Sequence, residues 1–277
     1  MQVALDTVPP TVAVVAPAAG AVLTSATTVR AKASDNQSIA QVSLLIDGQA
    51  LGTDTTSPYS FTLRTDTLWP GHHRLSASAL DLAGNRADSA PVDVIVELPR
   101  TALFDDFTDG DMKGWAVQTG KWTVQRATDT PPSALLSSST TSANVIATTQ
   151  VKLTDSIVDT AVTLVGWSSK ATLWVATRYQ DRNNYDYLAL KGAGHLQLGR
   201  RLKGVSTSLV SVPLALAQGD APHLELRAEG CVLEARVNGV PVATAHTNGF
   251  VFPKGGVMLS IQAGAAVFDD VAIAPAP

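Results

Sequence analysis

The segment TLWVATRYQDRNNYDYLALKGAGHLQLGRRLK, residues 172–203, decides the fold class. Apolar and polar residues alternate along three stretches of it, the period of a β-strand with one buried face. Leu173 and Val175 fall on one side, Leu188 and Leu190 on the same side of the next stretch, and Leu196 and Leu198 on that of the third. These six predict a core. Their alternates, Trp174, Arg178, Tyr187, Lys191, His195, Gln197 and Arg201, predict the opposite, solvent-facing side. The segment also carries six Lys/Arg against two Asp, a local charge of +4.

The same alternation extends in both directions. Upstream it recurs in Thr28-Val29-Arg30-Ala31-Lys32-Ala33, in Gln41-Val42-Ser43-Leu44-Leu45-Ile46 before Asp47-Gly48, in Leu75-Ser76-Ala77-Ser78-Ala79-Leu80 and in Val92-Asp93-Val94-Ile95-Val96. Asp-Gly is a hairpin signal because glycine takes positive φ without a steric penalty. Helical periodicity is almost absent, so the chain is predicted to be all-β. At 277 residues it exceeds the usual single sandwich and predicts two domains. The break falls at Leu98-Pro99-Arg100-Thr101, giving residues 1–98, a hinge at 99–102 and residues 103–277. Residues 1–99 hold five basic and nine acidic side chains, and residues 100–277 hold fifteen of each.

Composition excludes several classes. A net charge of −4 argues against a nucleic-acid binder, and 45% hydrophobic residues exclude global disorder. The lone Cys231 excludes an internal disulfide framework and a cysteine-rich zinc module. No apolar run approaches the roughly 20 residues of a membrane span. The start, Met1-Gln2-Val3, predicts no signal peptide, so the chain is expected to be a mature segment or a piece of a larger multidomain protein.

Within the first half, Asp6-Thr7-Val8-Pro9-Pro10-Thr11-Val12, Ala33-Ser34-Asp35-Asn36, Asp47-Gly48, Ser57-Pro58-Tyr59-Ser60-Phe61 and Ala79-Leu80-Asp81-Leu82-Ala83-Gly84-Asn85 resemble bacterial Ig-like modules. That resemblance implies an immunoglobulin-like sandwich acting as a spacer. The second half runs from Leu103-Phe104-Asp105-Asp106-Phe107-Thr108-Asp109-Gly110 through Thr177–Leu188, His223-Leu224-Glu225-Leu226-Arg227 and Val237-Asn238-Gly239 to Val267-Phe268-Asp269-Asp270-Val271. This order is similar to the concanavalin A-like (laminin G-like) jelly rolls attached to bacterial pectate lyases and other polysaccharide-degrading enzymes. It implies a jelly-roll β-sandwich, a polysaccharide ligand and a secreted or cell-surface bacterial protein.

The residues supply a chemistry for that ligand. Aromatic rings lie flat on the apolar C–H face of a pyranose, while amides and cations bond to hydroxyls and carboxylates. Arginine grips a carboxylate with two parallel hydrogen bonds, which makes an acidic, pectin-like polymer a natural target. The expected carbohydrate-binding set is therefore Trp174, Arg178, Tyr187, Lys191, His195, Gln197 and Arg201. The plain alternative is a solvated polar face, as on any half-exposed sheet.

Two acidic clusters invite a cation. Asp105, Asp106, Asp109 and Asp111 stand at the start of the second domain, and Asp269 and Asp270 near its end. Related jelly rolls imply a structural Ca2+ clamp between terminal strands; the alternative is turn capping. Asp109-Gly110-Asp111 fails as an EF-hand start because Lys113 and Gly120 occupy ligand positions. In the first domain Asp6, Asp35, Asn36, Asp81 and Asn85 are expected at one end of the sandwich as turn caps.

Signals for catalysis are lacking. No strand shows Glu-x-Asp or Glu-x-Glu, Glu225 and Glu229 are four residues apart, and Asp109 and Asp111 lie in a Gly-flanked turn. There is no Gly-x-Ser-x-Gly elbow or phosphate loop. His72 and His73 make a poor metal pair, His195, His223 and His246 have no evident carboxylate partner, and Trp115 and Trp122 read as packing. The chain is thus expected to be non-catalytic, with an adhesin segment binding glycan or protein, an unfamiliar glycan hydrolase or lyase, and a bare spacer as alternatives.

Overall fold

A computed structural model describes residues 6–65, 68, 70–97, 101–126, 133–148, 150–249 and 251–276. The chain forms two compact units, Met1–Pro99 and Arg100–Pro277. Of the expected hinge, residues 99 and 100 lie outside the described residues. Both units are all-β, with no α-helix among the described residues.

In the first unit the strands are β1 (Thr11–Ala16), β2 (Ala21–Leu23), β3 (Thr27–Ser34), β4 (Ile39–Ile46), β5 (Gln49–Asp54), β6 (Tyr59–Leu63), β7 (Gly71–Asp81), β8 (Arg86–Asp88) and β9 (Val92–Val96). They form a sheet ordered β1-β3-β6 and a second ordered β2-β9-β7-β4-β5, with β8 on β7. Val29, Val42, Leu44, Leu63, Leu75, Ala77 and Val94 are fully buried among their inward alternates. The β4–β5 hairpin turns at Asp47-Gly48 with φ of 49° and 78°, the doubly left-handed turn that dipeptide favours. His73, buried on β7, places Nδ1 2.6 Å from Asp47 Oδ2.

The second unit contains β10 (Leu103–Asp105), β11 (Trp115–Thr119), β12 (Trp122–Arg126), β13 (Ser133–Ser139), β14 (Asn144–Thr148), β15 (Ser156–Gly166), β16 (Thr172–Asp181), β17 (Asn184–Lys191), β18 (His195–Leu202), β19 (Val205–Pro213), β20 (His223–Glu229), β21 (Val232–Val237), β22 (Val240–His246), β23 (Gly256–Gln262) and β24 (Gly264–Pro275). One sheet runs β12-β13-β24-β15-β20-β21-β22 with β10 on β24, and the other runs β11-β14-β23-β16-β17-β18-β19. First and last strands pair antiparallel, Phe104 opposite Ala272. The six expected core residues are all buried between the sheets, together with Leu135, Leu224, Leu226, Leu259 and Phe268. Trp115 and Trp122 pack in the same core, Trp122 against Phe268 with ring centroids 5.9 Å apart.

Candidate functional site

The face of the seven-stranded sheet turned away from this core is built from small residues flanked by rings. Register sets the rows. Val145, Ser260, Trp174, Ala189, Gln197 and Ser211 lie side by side, as do Ala147, Met258, Ala176, Tyr187 and Gly199. Lys191 and His195 are paired in a third row, and Tyr185 and Arg201 in a fourth. Tyr187 lies low in this face because Gly199 offers no side chain: a Cβ there would sit 2.4 Å from the Tyr187 ring.

Strict alternation would add Arg178 to the face, and the structure corrects that expectation. The register of β16 against β23 slips between Ala176 and Tyr179, and Arg178 takes φ of 52°. A bulge of this kind places two residues opposite one and reverses the side-chain alternation beyond it. Arg178 therefore turns inward and is wholly buried. Its Nη1 donates to Asp186 Oδ2 at 3.2 Å, its Nη2 to Asp155 Oδ1 at 2.9 Å and to the Gly230 carbonyl at 2.8 Å, and its Nε to the Thr154 carbonyl. Arg200, from β18, clasps the same Asp186 carboxylate at 2.7 and 3.1 Å. A guanidinium so enclosed meets no ligand.

Tyr179 takes the position that Arg178 vacates. Its ring lies 5.8 Å from that of Tyr185, and Tyr185 lies 6.0 Å from Tyr187. Lys191 Nζ stands 5.1 Å from the Trp174 ring centre, a cation–π contact. Burial raises the hydroxyl pKa of Tyr179, helped by Asp181, and burial likewise raises those of Tyr185 and Tyr187, so these groups stay neutral at physiological pH. Burial lowers that of Lys191.

Of these rings, Trp174, Tyr179 and Tyr185 border an open hollow of about 670 Å³, with Arg182, Arg201 and Gln262 also in its lining. Thus Trp174, Tyr187, Lys191, His195, Gln197 and Arg201 share this face, and Arg178 does not. Tyr179, Tyr185, Arg182 and Gln262 were missed: Tyr179 sits past the bulge, Arg182 is in the β16–β17 turn and Gln262 is on a strand distant in sequence, whereas Tyr185, two residues before Tyr187 on β17, was open to the same alternation. The run of tyrosines and Arg/Asn between residues 179 and 187 was the available signal.

Of the expected calcium ligands, Asp105, Asp106, Asp269 and Asp270 gather where β10 pairs with β24, close enough for their charges to act on Asp269, but they do not form a three-carboxylate cage. Asp109 Oδ1 accepts the Asp111 amide and Asp111 Oδ1 the Lys113 amide, as turn caps. Asp105 accepts the Phe107 amide and the Trp115 indole N–H, and Asp106 accepts the Thr108 amide and hydroxyl. Asp269 and Asp270 are buried; burial, then the charges of Asp270, Asp106 and Asp105, push the Asp269 pKa up to about 8. No three of the six offer oxygens within 4.8 Å of one another. Among the described residues the group that does is Asp6, Asp35 and Asp81. There Asp81 accepts the Ala83 and Asn85 amides and the Asn85 side chain, while Asn36 and Asn85 donate to Asp6. The expected meeting of these residues as turn caps is what the hydrogen bonds describe.

His223 does have a carboxylate partner, unlike the sequence expectation. Its Nε2 lies 2.7 Å from Oδ1 of Asp159, which is fully buried on β15. Asp159 stands opposite Glu225 across β15 and β20, and Glu225 is in turn paired with Arg227 and Arg236. Burial raises the Asp159 pKa to about 6 against the opposing pull of His223. Two carboxylates therefore meet across strands, a proximity that reading one strand at a time misses.

Residues 10–77 match the bacterial Ig domain family. No curated protein matches the chain. Among solved structures, a Bacillus subtilis protein of unknown function with a galectin-like fold is 13% identical, with a TM-score of 0.52 over 64% of this chain and 96% of that one. The Bacillus licheniformis β-glucanase is 12% identical, with a TM-score of 0.50 over 64% and 99%. A carbohydrate-binding module, CBM66, from Bacillus subtilis is 18% identical, with a TM-score of 0.49 over 59% and 97%. The family match and these two fold likenesses agree with the two units: an Ig-like sandwich is followed by a concanavalin A-like jelly roll.

Proposed function

We propose that this chain is the non-catalytic carbohydrate-binding region of a secreted bacterial polysaccharide-acting protein. The jelly roll holds a neutral or acidic polysaccharide, and the Ig-like unit serves as spacer. The observation that carries the reading is the grouping of Trp174, Tyr179 and Tyr185 around one open hollow floored by Ala, Ser and Met. Rings on a shallow sheet suit the C–H faces of pyranoses, and Gln197, Gln262 and Arg201 supply partners for hydroxyls. The β-glucanase fold likeness is in keeping with a glycan ligand, while no pair of carboxylates lines this hollow. Tethering of this kind raises the effective concentration of a linked enzyme near its polymer without lowering a chemical barrier.

The test is retention of the full chain on a panel of insoluble and soluble polysaccharides. Wild type is retained by at least one, and the folded Trp174→Ala/Tyr179→Ala/Tyr185→Ala variant is not. Equal retention of both proteins refutes the site. New reducing ends or unsaturated products after incubation refute the non-catalytic assignment.

A further inference from the structure

Resting on that reading, we infer that the jelly-roll face binds an internal stretch of a polyanionic glycan, drawn along a groove open at both ends. The central hollow is continuous with two others. It shares Tyr179, Arg182 and Asn183 with one of about 480 Å³ that ends at Lys152 and Gln118. It shares Ser142 and Asn144 with one of about 370 Å³ that contains Lys121. The central hollow alone reaches from β11 to β18, five inter-strand steps of about 4.8 Å, or about 24 Å. Nothing in the lining closes either end, so a chain passes through and is not gripped by its terminus.

The charges along this path are four positive to one negative. Lys121, Arg182, Arg201 and Lys152 line it, and Lys191 stands beside Trp174. The acidic side chain in the lining is Asp181, whose oxygens accept the Asn183 amide and the Asn184 side chain. The contrast with the rest of the unit is the argument. Arg178, Arg200, Arg227 and Arg236 are each paired with a carboxylate. Among the described residues, neither the four groove cations nor Lys191 beside them has such a pair; Arg201 donates to the Ser206 hydroxyl alone. Same-sign charges gathered in one concave surface repel one another unless a ligand of opposite charge joins them, and they focus the field on that ligand. A polymer with a carboxylate or sulfate on recurring units meets the cations in turn, while its ring faces ride over Tyr179 and Tyr185.

Single-stranded nucleic acid also pairs aromatic rings with cations. The geometry favours the glycan: Tyr179 and Tyr185 tilt against each other at 37° and do not stand apart to receive bases, and the whole chain is net negative.

The experiment is calorimetry on the full chain with polygalacturonate, alginate and a sulfated galactan, each beside its methyl-esterified or desulfated form, and with a single-stranded oligodeoxynucleotide. The expected result is that at least one polyanion binds about tenfold or more tighter than its neutralised form. That advantage shrinks as NaCl rises from about 50 to about 500 mM. Lys152→Gln and Arg201→Gln each weaken the polyanion more than the neutral form, and monomeric acids do not compete at matched residue concentration. Equal affinity for charged and neutral forms overturns this inference and leaves the binding function standing. Competition by the monomeric acid overturns the internal-chain mode, and tighter binding of the oligonucleotide overturns the ligand class. Binding of no glycan at all refutes the underlying function.

Discussion

Tyr179 and Arg178 are adjacent in sequence and have opposite fates. Tyr179 borders both larger hollows, so a ligand in either would meet it, whereas Trp174 borders one. Tyr179→Ala is expected to weaken polysaccharide binding about tenfold or more, the scale of one lost stacking contact with its buried area. Its melting temperature stays near wild type because the ring is half exposed. Isothermal titration alongside a thermal melt checks both parts. Arg178→Ala behaves differently. It leaves Asp186, itself fully buried, with Arg200 as its remaining cation, and removing one partner of such a pair costs about 3–5 kcal/mol. Urea unfolding is the measurement, and a loss below about 1 kcal/mol contradicts the role assigned to this network.

At the scale of the strand, the bulge in β16 decides which residues form the site. Gly255 makes room for it: a Cβ there would lie 2.3 Å from the Arg178 carbonyl carbon. Gly255→Ala is therefore expected to displace the bulge, lower stability and weaken glycan binding, although residue 255 borders none of the three hollows. Unchanged affinity in a folded Gly255→Ala protein shows that the bulge does not position Tyr179. The same bulge explains how far the sequence could be read. Leu173, Val175, Leu188, Leu190, Leu196 and Leu198 were legible as core because alternation holds along each uninterrupted run. Trp174, Tyr187, Lys191, His195, Gln197 and Arg201 followed from it onto one face. Arg178 was misplaced because polar residues flank the slip on both sides, and no glycine or proline within β16 marks it. Met258, Ser260 and Gln262 entered the site by pairing of β23 with β16, some 80 residues away in sequence, a register that local patterns do not contain. The Asp159–Glu225 meeting was hidden for the same reason.

On the scale of the whole molecule, the two units have separate cores, so two unfolding transitions are expected, and pH acts on them unequally. Asp269 and Asp159, with pKa values near 8 and near 6, both belong to the jelly roll. An unfolded aspartate titrates near 3.9. A folded carboxyl with a raised pKa holds its proton where the unfolded one has lost it. Its contribution is therefore fully present below about pH 4 and is lost as pH climbs through the folded value. The jelly-roll transition is thus expected to weaken from about pH 4 through about pH 6 as Asp159 ionises beside Glu225, and further to about pH 8 as Asp269 ionises beside Asp270, Asp106 and Asp105. Asp269→Asn removes the upper part of this slope, so at pH 8.5 the variant melts several degrees above wild type, with little difference at pH 4.5. Differential scanning calorimetry across this range, with EDTA and with added CaCl2, reads the result. A cation held by these carboxylates would reverse the sign: Asp269→Asn would then melt below wild type at pH 8.5, and EDTA would lower the wild-type transition. The Ig-like unit offers an internal comparison. Its Asp81 carboxyl is held below the ordinary aspartate value by the Asn85 side chain and by the Asn85, Ala83 and Gly84 amides, which outweigh its burial. That unit therefore loses stability as pH falls through the folded Asp81 value, the direction opposite to its neighbour.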